Sequence, residues 1–233
     1  MSGVSMMTEA EYVRFHRRRF SMMTDLLRRH WPEGAGRALD IGSGADVLSL
    51  GTFMRDTFGA EAHSVALGDD VPLACGKGIL CRECDVDCQP LPFDGRHFDV
   101  VTFASVIEHL YNPRHALEEI ARVTKPGGLL LIEAPNAVSM GHRIDALKGR
   151  NPFRFFNEYN TAEQRRHMLV CAVFYTPEEI AGLLAPRFDL VDQAWGLHTP
   201  ALPFPKMAVH ELLTRLFPRM SDCFALVARR KPA

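Results

Sequence analysis

The residues with the clearest chemical potential follow a short apolar run that ends in a glycine turn. The segment LDIGSG places Gly42 and Gly44 at residues 39–44, ahead of an apolar-periodic stretch. Glycine has no side chain, so the backbone of this turn can approach a ligand closely, and a helix that follows it offers free N–H groups. A dinucleotide fingerprint would also need glycine at position 47, which is Val47. The turn therefore predicts a ligand site without identifying the ligand.

Candidate proton-transfer groups lie farther along the chain. Glu108 and His109 follow an apolar stretch at residues 98–103, and His167 lies in a later basic segment. A carboxylate or an imidazole in a ligand site can act as a general base, so all three are candidate catalytic residues. The alternative for Glu108 and His109 is that they open a helix and make only structural hydrogen bonds.

The cysteines have a spacing that could suggest a metal site, Cys81-x-x-Cys84-x-x-x-Cys88 with Cys75 upstream. Residues three apart on one strand face opposite sides, and there is no second Cys-x-x-Cys pair of the kind that metal sites use. We therefore expect no metal ion, and we expect these thiols to be buried.

Apolar strand patterns alternate with helical patterns along most of the chain. Strands are predicted at residues 38–41, 62–67, 78–86, 98–103, 129–133, 188–195 and 223–228. Helix starts are predicted at Thr8, with Glu11 three residues on, at Asn112-Pro113, and at Thr176 with Glu179, and another helix is expected to begin near Val47. This alternation predicts an α/β fold, a doubly wound, mainly parallel sheet with ligands beyond the carboxyl ends of its strands.

Composition excludes several classes of protein. The 233 residues are 47% hydrophobic and 24% charged, with 27 Lys and Arg against 28 Asp and Glu. The resulting net charge of −1 argues against a nucleic-acid partner, and no apolar run reaches the roughly 20 residues of a membrane span. The first 20 residues lack the apolar core of a signal peptide, so we expect a cytoplasmic protein.

Five ordered blocks resemble one enzyme family. The glycine turn is followed by PLPFD at 90–94 leading into FDVV at 98–101, VIEHL at 106–110, LEEIARV at 117–123 and KPGGLLLI at 125–132. Together they resemble the class I S-adenosylmethionine-dependent methyltransferases, in particular the small-molecule branch, over roughly residues 35–195. The resemblance implies a Rossmann-like sheet of seven strands, S-adenosylmethionine as the cofactor, and methyl transfer to a small molecule.

The resemblance also implies site residues. Asp40 is expected to order the glycine turn and face the methionine end of the cofactor. The remaining expected cofactor-binding residues are Gly42, Ser43 and Gly44 in the turn, Asp85, Val86 and Asp87 beside the adenine, and Ala104 and Ser105 where donor and acceptor meet.

The chain departs from the family pattern in two places. The third glycine of the first motif is Asp46, and the acid expected at the end of the second strand is replaced by Ala66. Asp69 or Asp70 is then expected to contact the ribose. These departures leave a second function open, a degenerate S-adenosylmethionine-fold protein with a binding or scaffold role. An NAD-dependent dehydrogenase is a third alternative, disfavoured by Val47.

The chain is expected to be one domain of four parts: a helical segment at 1–34, a cofactor-binding core at 35–138, an inserted lid at 139–175, and the rest of the sheet at 176–233.

Basic and aromatic residues are interleaved in the insertion, which suits an anionic acceptor; the alternative is a solvated helical face. Oxygen is the first expected accepting atom and nitrogen the second. The segment at residues 200–218 contains an amphipathic stretch that is expected to pack on the sheet, the alternatives being a pocket cap or a homodimer interface.

Overall fold

The computed structural model describes residues 8–42, 48–68, 70–153, 173–197 and 204–232. Its strands form one seven-stranded sheet in the order β3-β2-β1-β4-β5-β7-β6. The strands are β1 Arg37–Ile41, β2 Glu61–Ala66, β3 Leu80–Glu83, β4 Phe98–Ala104, β5 Thr124–Pro135, β6 Phe188–Gly196 and β7 Cys223–Arg230.

The five strands from β3 to β5 are parallel to their neighbours, whereas β7 is antiparallel to both β5 and β6. The predicted doubly wound, mainly parallel sheet of seven strands is confirmed. β5 begins five residues earlier than predicted, because Thr124 already pairs with Phe98 before a bulge in the ladder.

Helices cover both faces of the sheet. They are α1 Glu9–His30, α2 Leu50–Phe58, α3 Asp70–Gly76, α4 Pro113–Val123, α5 Met140–Leu147, α6 Pro177–Leu184 and α7 Phe204–Leu216, with 3₁₀ turns at Ile107–His109 and Pro218–Met220. Thr8 and Thr176 form capping boxes, and Asn112 caps α4 ahead of a proline, as predicted. α2 begins at Leu50 under a Ser49 cap rather than near Val47, and α3 was not predicted.

The hydrophobic core has two layers. On one face α1 and α2 pack against the sheet through buried residues that include Met23, Leu26, Leu27 and Met54. On the other face α4 and α6 pack through a second cluster. The central strand β4 is buried on both faces, which is why its sequence reads as a continuous apolar run.

Two packing predictions were wrong. Val209, Leu212 and Leu216 on α7 are exposed, so this stripe does not pack on the sheet as expected. Cys84 is buried, but Cys75 and Cys88 are exposed, because they lie at the end of α3 and in a turn rather than inside a strand.

Candidate active site

Asp40 joins the elements that frame the glycine turn. Its buried carboxylate accepts a hydrogen bond from the Gly51 N–H in the first turn of α2 at 2.8 Å, and another from the Thr102 hydroxyl on β4 at 2.8 Å. A negative charge at a helix N-terminus is favourable. Asp40 therefore fixes β1, β4 and α2 relative to one another, with both oxygens engaged inside the protein.

Gly42 starts the turn in a left-handed conformation, φ +91°. A Cβ at this position would lie 2.4 Å from Val106 Cγ2, so even alanine would not fit without a shift. The backbone at the carboxyl end of β1 consequently lies bare beside the end of β4. This requirement explains why the turn begins with glycine.

Ser105, directly after β4, has an unusual backbone for a residue with a side chain, φ +53°. Its N–H donates to the Glu133 carbonyl of β5 at 3.0 Å, and its hydroxyl donates to Glu133 Oε2 at 2.9 Å. Arg19 Nη1 on α1 donates to the Ser105 Oγ at 2.5 Å. Non-glycine residues with positive φ often occur at functional sites. Here the conformation places the hydroxyl between an arginine and a carboxylate.

Glu108 is buried in the 3₁₀ turn that follows. Burial, reinforced by the negative charge of Glu133, raises the pKa of the Glu108 carboxyl to about 8, although Arg19 opposes the shift. His109 Nε2 lies 4.0 Å from Glu108 Oε1, and its side chain is partly exposed. The two candidate bases are thus neighbours, and Glu108 is the one placed in the charged cluster.

A cavity of about 200 Å³ lies at the carboxyl ends of β1 and β4. Its lining comes from the start of the glycine turn, from α2, from the end of β4 and from α1. The residues are Tyr12, His16, Arg19, Met23, Gly42, Leu48, Leu50, Ala104 and Ser105. The structure therefore brings together Gly42, Ala104 and Ser105 as the sequence predicted, and adds a wall from α1.

The described residues expected near the ribose and the adenine follow the carboxyl ends of β2 and β3. Ala66 is the last residue of β2, and Asp70 is exposed at the start of α3. Asp87 Oδ1 accepts from the Asn112 N–H at 2.6 Å, while Asp85 Oδ1 accepts from the Asp87 N–H at 3.0 Å. Both carboxylates thus support local turns and remain half-buried.

Val86, between them, packs partly against the core. Ser43, Gly44, Asp69 and His167 lie outside the described residues, as does much of the insertion. The described parts of the insertion stop at residue 153 and resume at residue 173. Phe153 stacks on Phe174 with ring centroids 4.4 Å apart. The Val173 N–H donates a hydrogen bond to the Glu108 carbonyl at 3.2 Å. The insertion therefore leaves and returns beside the candidate base.

Arg19 and Glu133 were missed by the sequence analysis, which named neither as a site residue. Arg19 lies four residues before the buried Met23 and seven after Tyr12, on the helix face that lines the cavity. Glu133 follows directly on four apolar residues, 129–132, near the carboxyl end of β5. A charged residue within an apolar pattern was the available signal in both cases, because such a residue must find a buried partner.

Within the described residues, no group of three or more His, Cys, Asp or Glu is arranged to hold a metal ion. No helix in the described ranges is long and apolar enough to cross a bilayer.

Comparisons with known proteins agree with this arrangement. Residues 39–132, from β1 to β5, match a family model described as a methyltransferase domain. The match covers 94 of the 233 residues and indicates a methyltransferase domain in this part of the chain. The demethylmenaquinone methyltransferase of Mycobacterium bovis (strain BCG / Pasteur 1173P2) is 34% identical to this chain over 109 residues, which cover 45% of this chain and 47% of that enzyme.

Two further similarities extend the comparison. The ubiquinone/menaquinone biosynthesis C-methyltransferase UbiE of Azotobacter vinelandii is 32% identical over 142 residues, 55% of this chain and 53% of that protein. The chain thus spans about half the length of the curated relatives it matches. The N-methyltransferase NodS of Bradyrhizobium japonicum, solved with S-adenosyl-L-homocysteine, is 15% identical with a TM-score of 0.58, covering 94% of this chain and 88% of NodS. That similarity concerns the fold alone.

S-adenosylmethionine is the cofactor that the sequence resemblance implies. The residues present fit it, because Gly42 presents bare backbone to the cavity, Ala104 contributes only a methyl group, and α2 begins next to the turn. The residues that would hold the cofactor are Gly42, Leu48, Leu50 and Ala104.

Proposed function

We propose that this protein transfers a methyl group from S-adenosylmethionine to a small-molecule acceptor, with oxygen as the first candidate accepting atom and nitrogen as the second. The observation that carries the proposal is the cavity at the carboxyl ends of β1 and β4, lined by Gly42, Ala104 and Ser105, with the buried Glu108 three residues after Ser105 in the chain. The bound cofactor supplies an electrophilic methyl group on a positively charged sulfur. The protein must align the accepting atom with the methyl carbon and the sulfur, and it must take up the proton that the acceptor loses.

Glu108 is suited to take the proton from a hydroxyl group. A general base is most effective when its pKa lies near the working pH, and the Glu108 pKa is raised to about 8. In the proposed step the acceptor O–H bond breaks and its proton passes to the Glu108 carboxylate. The acceptor oxygen uses the freed electron pair to bond the methyl carbon, and the electron pair of the broken carbon–sulfur bond stays on sulfur.

His109 and His167 remain alternative bases. His109 is 4.0 Å from Glu108 and could exchange a proton with it. The name of the Azotobacter relative adds carbon as a third candidate accepting atom, since that protein is a C-methyltransferase. A cytoplasmic location, a homodimer and recognition of an anionic acceptor by the insertion also stay predictions.

The proposal is tested in two steps on the full chain. Calorimetry with S-adenosylmethionine and S-adenosylhomocysteine is expected to show binding of both. Tritium-labelled S-adenosylmethionine is then offered with a panel of simple phenols, sugars and amines, and transfer of label to a hydroxyl compound is expected. Absence of heat and of a thermal shift with both nucleosides would instead favour the scaffold alternative, for which Ala66 in place of the ribose acid is the specific observation.

A pair of glutamates separates the role of Glu108 from a general effect of removing charge. Glu108→Gln is expected to bind S-adenosylhomocysteine like the wild type and to lose most of the methyl transfer. Glu118→Gln is the matched control, since Glu118 is exposed on α4 and pairs only with Arg187 among the contacts seen in the described residues. Equal transfer by the two variants would exclude Glu108 as the base.

A further inference from the structure

A buried chain of polar groups joins α1 to the carboxyl ends of β4 and β5 at the wall of the cavity. Arg19 donates to Ser105, and Ser105 donates to Glu133 Oε2. Arg19 Nη1 also lies 3.7 Å from Glu133 Oε2, with only 14% of the Arg19 side chain and 1% of the Glu133 side chain exposed. An ion pair this deep is costly to desolvate, so it points to a role other than stability alone.

The cluster has unused hydrogen-bonding capacity. Among the described residues, the buried Arg19 Nε–H has no acceptor and the buried Glu108 Oε2 has no partner. Most buried polar atoms in folded proteins are hydrogen-bonded, and a guanidinium N–H without an acceptor is especially costly. A ligand atom with a lone pair would accept a hydrogen bond from the Arg19 Nε–H. A ligand O–H or N–H group would donate a hydrogen bond to Glu108 Oε2.

The charges around Arg19 decide which chemical group fits. The titratable groups that face it are Tyr12 and His16 on its own helix, Glu108 after β4, Glu133 on β5 and Cys223 on β7. Glu133 balances the charge of Arg19, so this ion pair leaves no net positive charge, and Glu108 in its carboxylate form accepts the proton of the acceptor. A protonated amine has no lone pair for the Arg19 N–H and would lie against a like charge. A hydroxyl oxygen accepts that hydrogen bond, which strengthens when the oxygen ionises.

We propose that Arg19 binds the reacting group of the acceptor and selects for an ionisable hydroxyl, a phenol or an enol, which it holds as the oxyanion. This rests on the proposed function, because it places the acceptor oxygen where Ser105 and the cofactor-holding residues meet. The proton goes to Glu108, and the negative charge stays on the acceptor next to the Arg19 N–H. The methyl group then bonds to that oxygen, or to a ring carbon that shares the charge and afterwards loses its own proton.

The test uses 4-nitrophenol, whose phenolate is coloured and whose neutral form is not. The full chain is first saturated with S-adenosylhomocysteine, and 4-nitrophenol is then titrated across pH by absorbance. We expect the bound probe to ionise at a lower pH than the free probe. The matched amine 4-nitroaniline, which cannot form an oxyanion, is expected to bind at least about tenfold more weakly, since it lacks the charge-assisted hydrogen bond.

Neighbouring arginines provide the control. Arg19→Gln is expected to weaken phenolate binding by about 10- to 100-fold while S-adenosylhomocysteine binding is kept. Arg18→Gln should leave both unchanged, because Arg18 is 45% exposed and pairs with Glu211 outside the cavity. If Arg19→Gln fails to fold with Glu133 left unpaired, the double variant Arg19→Gln/Glu133→Gln removes both charges together and is expected to show the same loss.

The outcomes separate the two proposals. Normal S-adenosylhomocysteine binding with no shift in probe ionisation, or with 4-nitroaniline bound as tightly as 4-nitrophenol, would overturn the role of Arg19 and leave the proposed function standing. The same holds if the folded Arg19 variants bind the phenolate like the wild type. Failure of the wild type to bind S-adenosylhomocysteine would overturn the proposed function, and the acceptor site with it.

Discussion

At the scale of single residues, the carboxyl groups near the cavity divide by their hydrogen bonds. Asp40 has both oxygens engaged by Gly51 and Thr102, so it holds structure in place. Glu108 has a buried oxygen without a partner among the described residues and a raised pKa, so it is available for chemistry. Residue type alone does not distinguish them, because each follows or ends an apolar run.

Asp40→Ala is expected to destabilise the fold by about 2–4 kcal/mol, since it leaves two buried donors unsatisfied. It should also weaken S-adenosylhomocysteine binding, because the glycine turn loses its anchor to α2. Urea unfolding and calorimetry measure the two effects. Asp56→Ala is the control: Asp56 is exposed on α2 and its observed ion pair is with its neighbour Arg55, so a change below about 0.5 kcal/mol is expected. Equal stability of the two variants would contradict the anchoring role.

Glu108 also gives a prediction for stability against pH. Its pKa is about 8 in the fold against an ordinary value of 4.5, so the folded state holds a proton that the unfolded chain releases. Its contribution to stability is therefore complete below about pH 4.5 and is lost as the pH rises toward about 8. Glu108→Gln should remove this loss, so its melting temperature should fall less than that of the wild type between pH 5 and pH 8. If the melting temperatures of Glu108→Gln and the wild type fall equally between pH 5 and pH 8, Glu108 is not a buried neutral acid.

At the scale of elements, α1 is both a packing unit and a wall of the site. Met23, Leu26 and Leu27 are at most 2% exposed against the sheet, while Tyr12 and Arg19 line the cavity. The helix also reaches the sheet edge, where Arg29 and His30 lie 2.8 Å from Asp192 of β6. Packing of the second half of α1 thus positions the chemical groups of the first half.

Leu27→Ala tests this coupling. It should cost about 2–5 kcal/mol in unfolding free energy, because it removes a fully buried side chain. It should also lower methyl-acceptor binding, monitored with 4-nitrophenol, more than S-adenosylhomocysteine binding. Leu147→Ala on α5 is the control, since Leu147 is 88% exposed and its loss should cost little. A destabilised Leu27 variant with unchanged probe affinity would separate α1 packing from the acceptor site.

At the scale of the whole molecule, the two ends of the sheet have different characters. The carboxyl ends of β1, β4 and β5 carry the cavity and the charged cluster. The amino ends of β1 and β2 border a separate open cleft with Arg82, Phe93 and His97. One sheet joins strands from residue 37 to residue 230, and the division of the chain into one domain of four parts stays a prediction.

Hydrogen exchange with saturating S-adenosylhomocysteine tests which end binds the ligand. Amides at residues 48–52 and 104–109 should become protected, and those at 91–97 should not change. A ligand at 100 times its Kd adds about 2.7 kcal/mol to the free energy of unfolding, so protection should be measurable. Protection confined to residues 91–97 would relocate the ligand site.

The sequence by itself determined the seven strands, the capped helices and the resemblance to methyltransferases, because each depends on local periodicity, on capping residues or on contiguous motifs. The tertiary structure decided the partners of Arg19 and Glu133, which are 114 residues apart in the chain and come together only when α1 packs over the ends of β4 and β5. It also decided that Asp40 is an internal anchor. Burial and charge pairing between distant segments set these roles, and a linear pattern of residue types does not record which distant segments will meet.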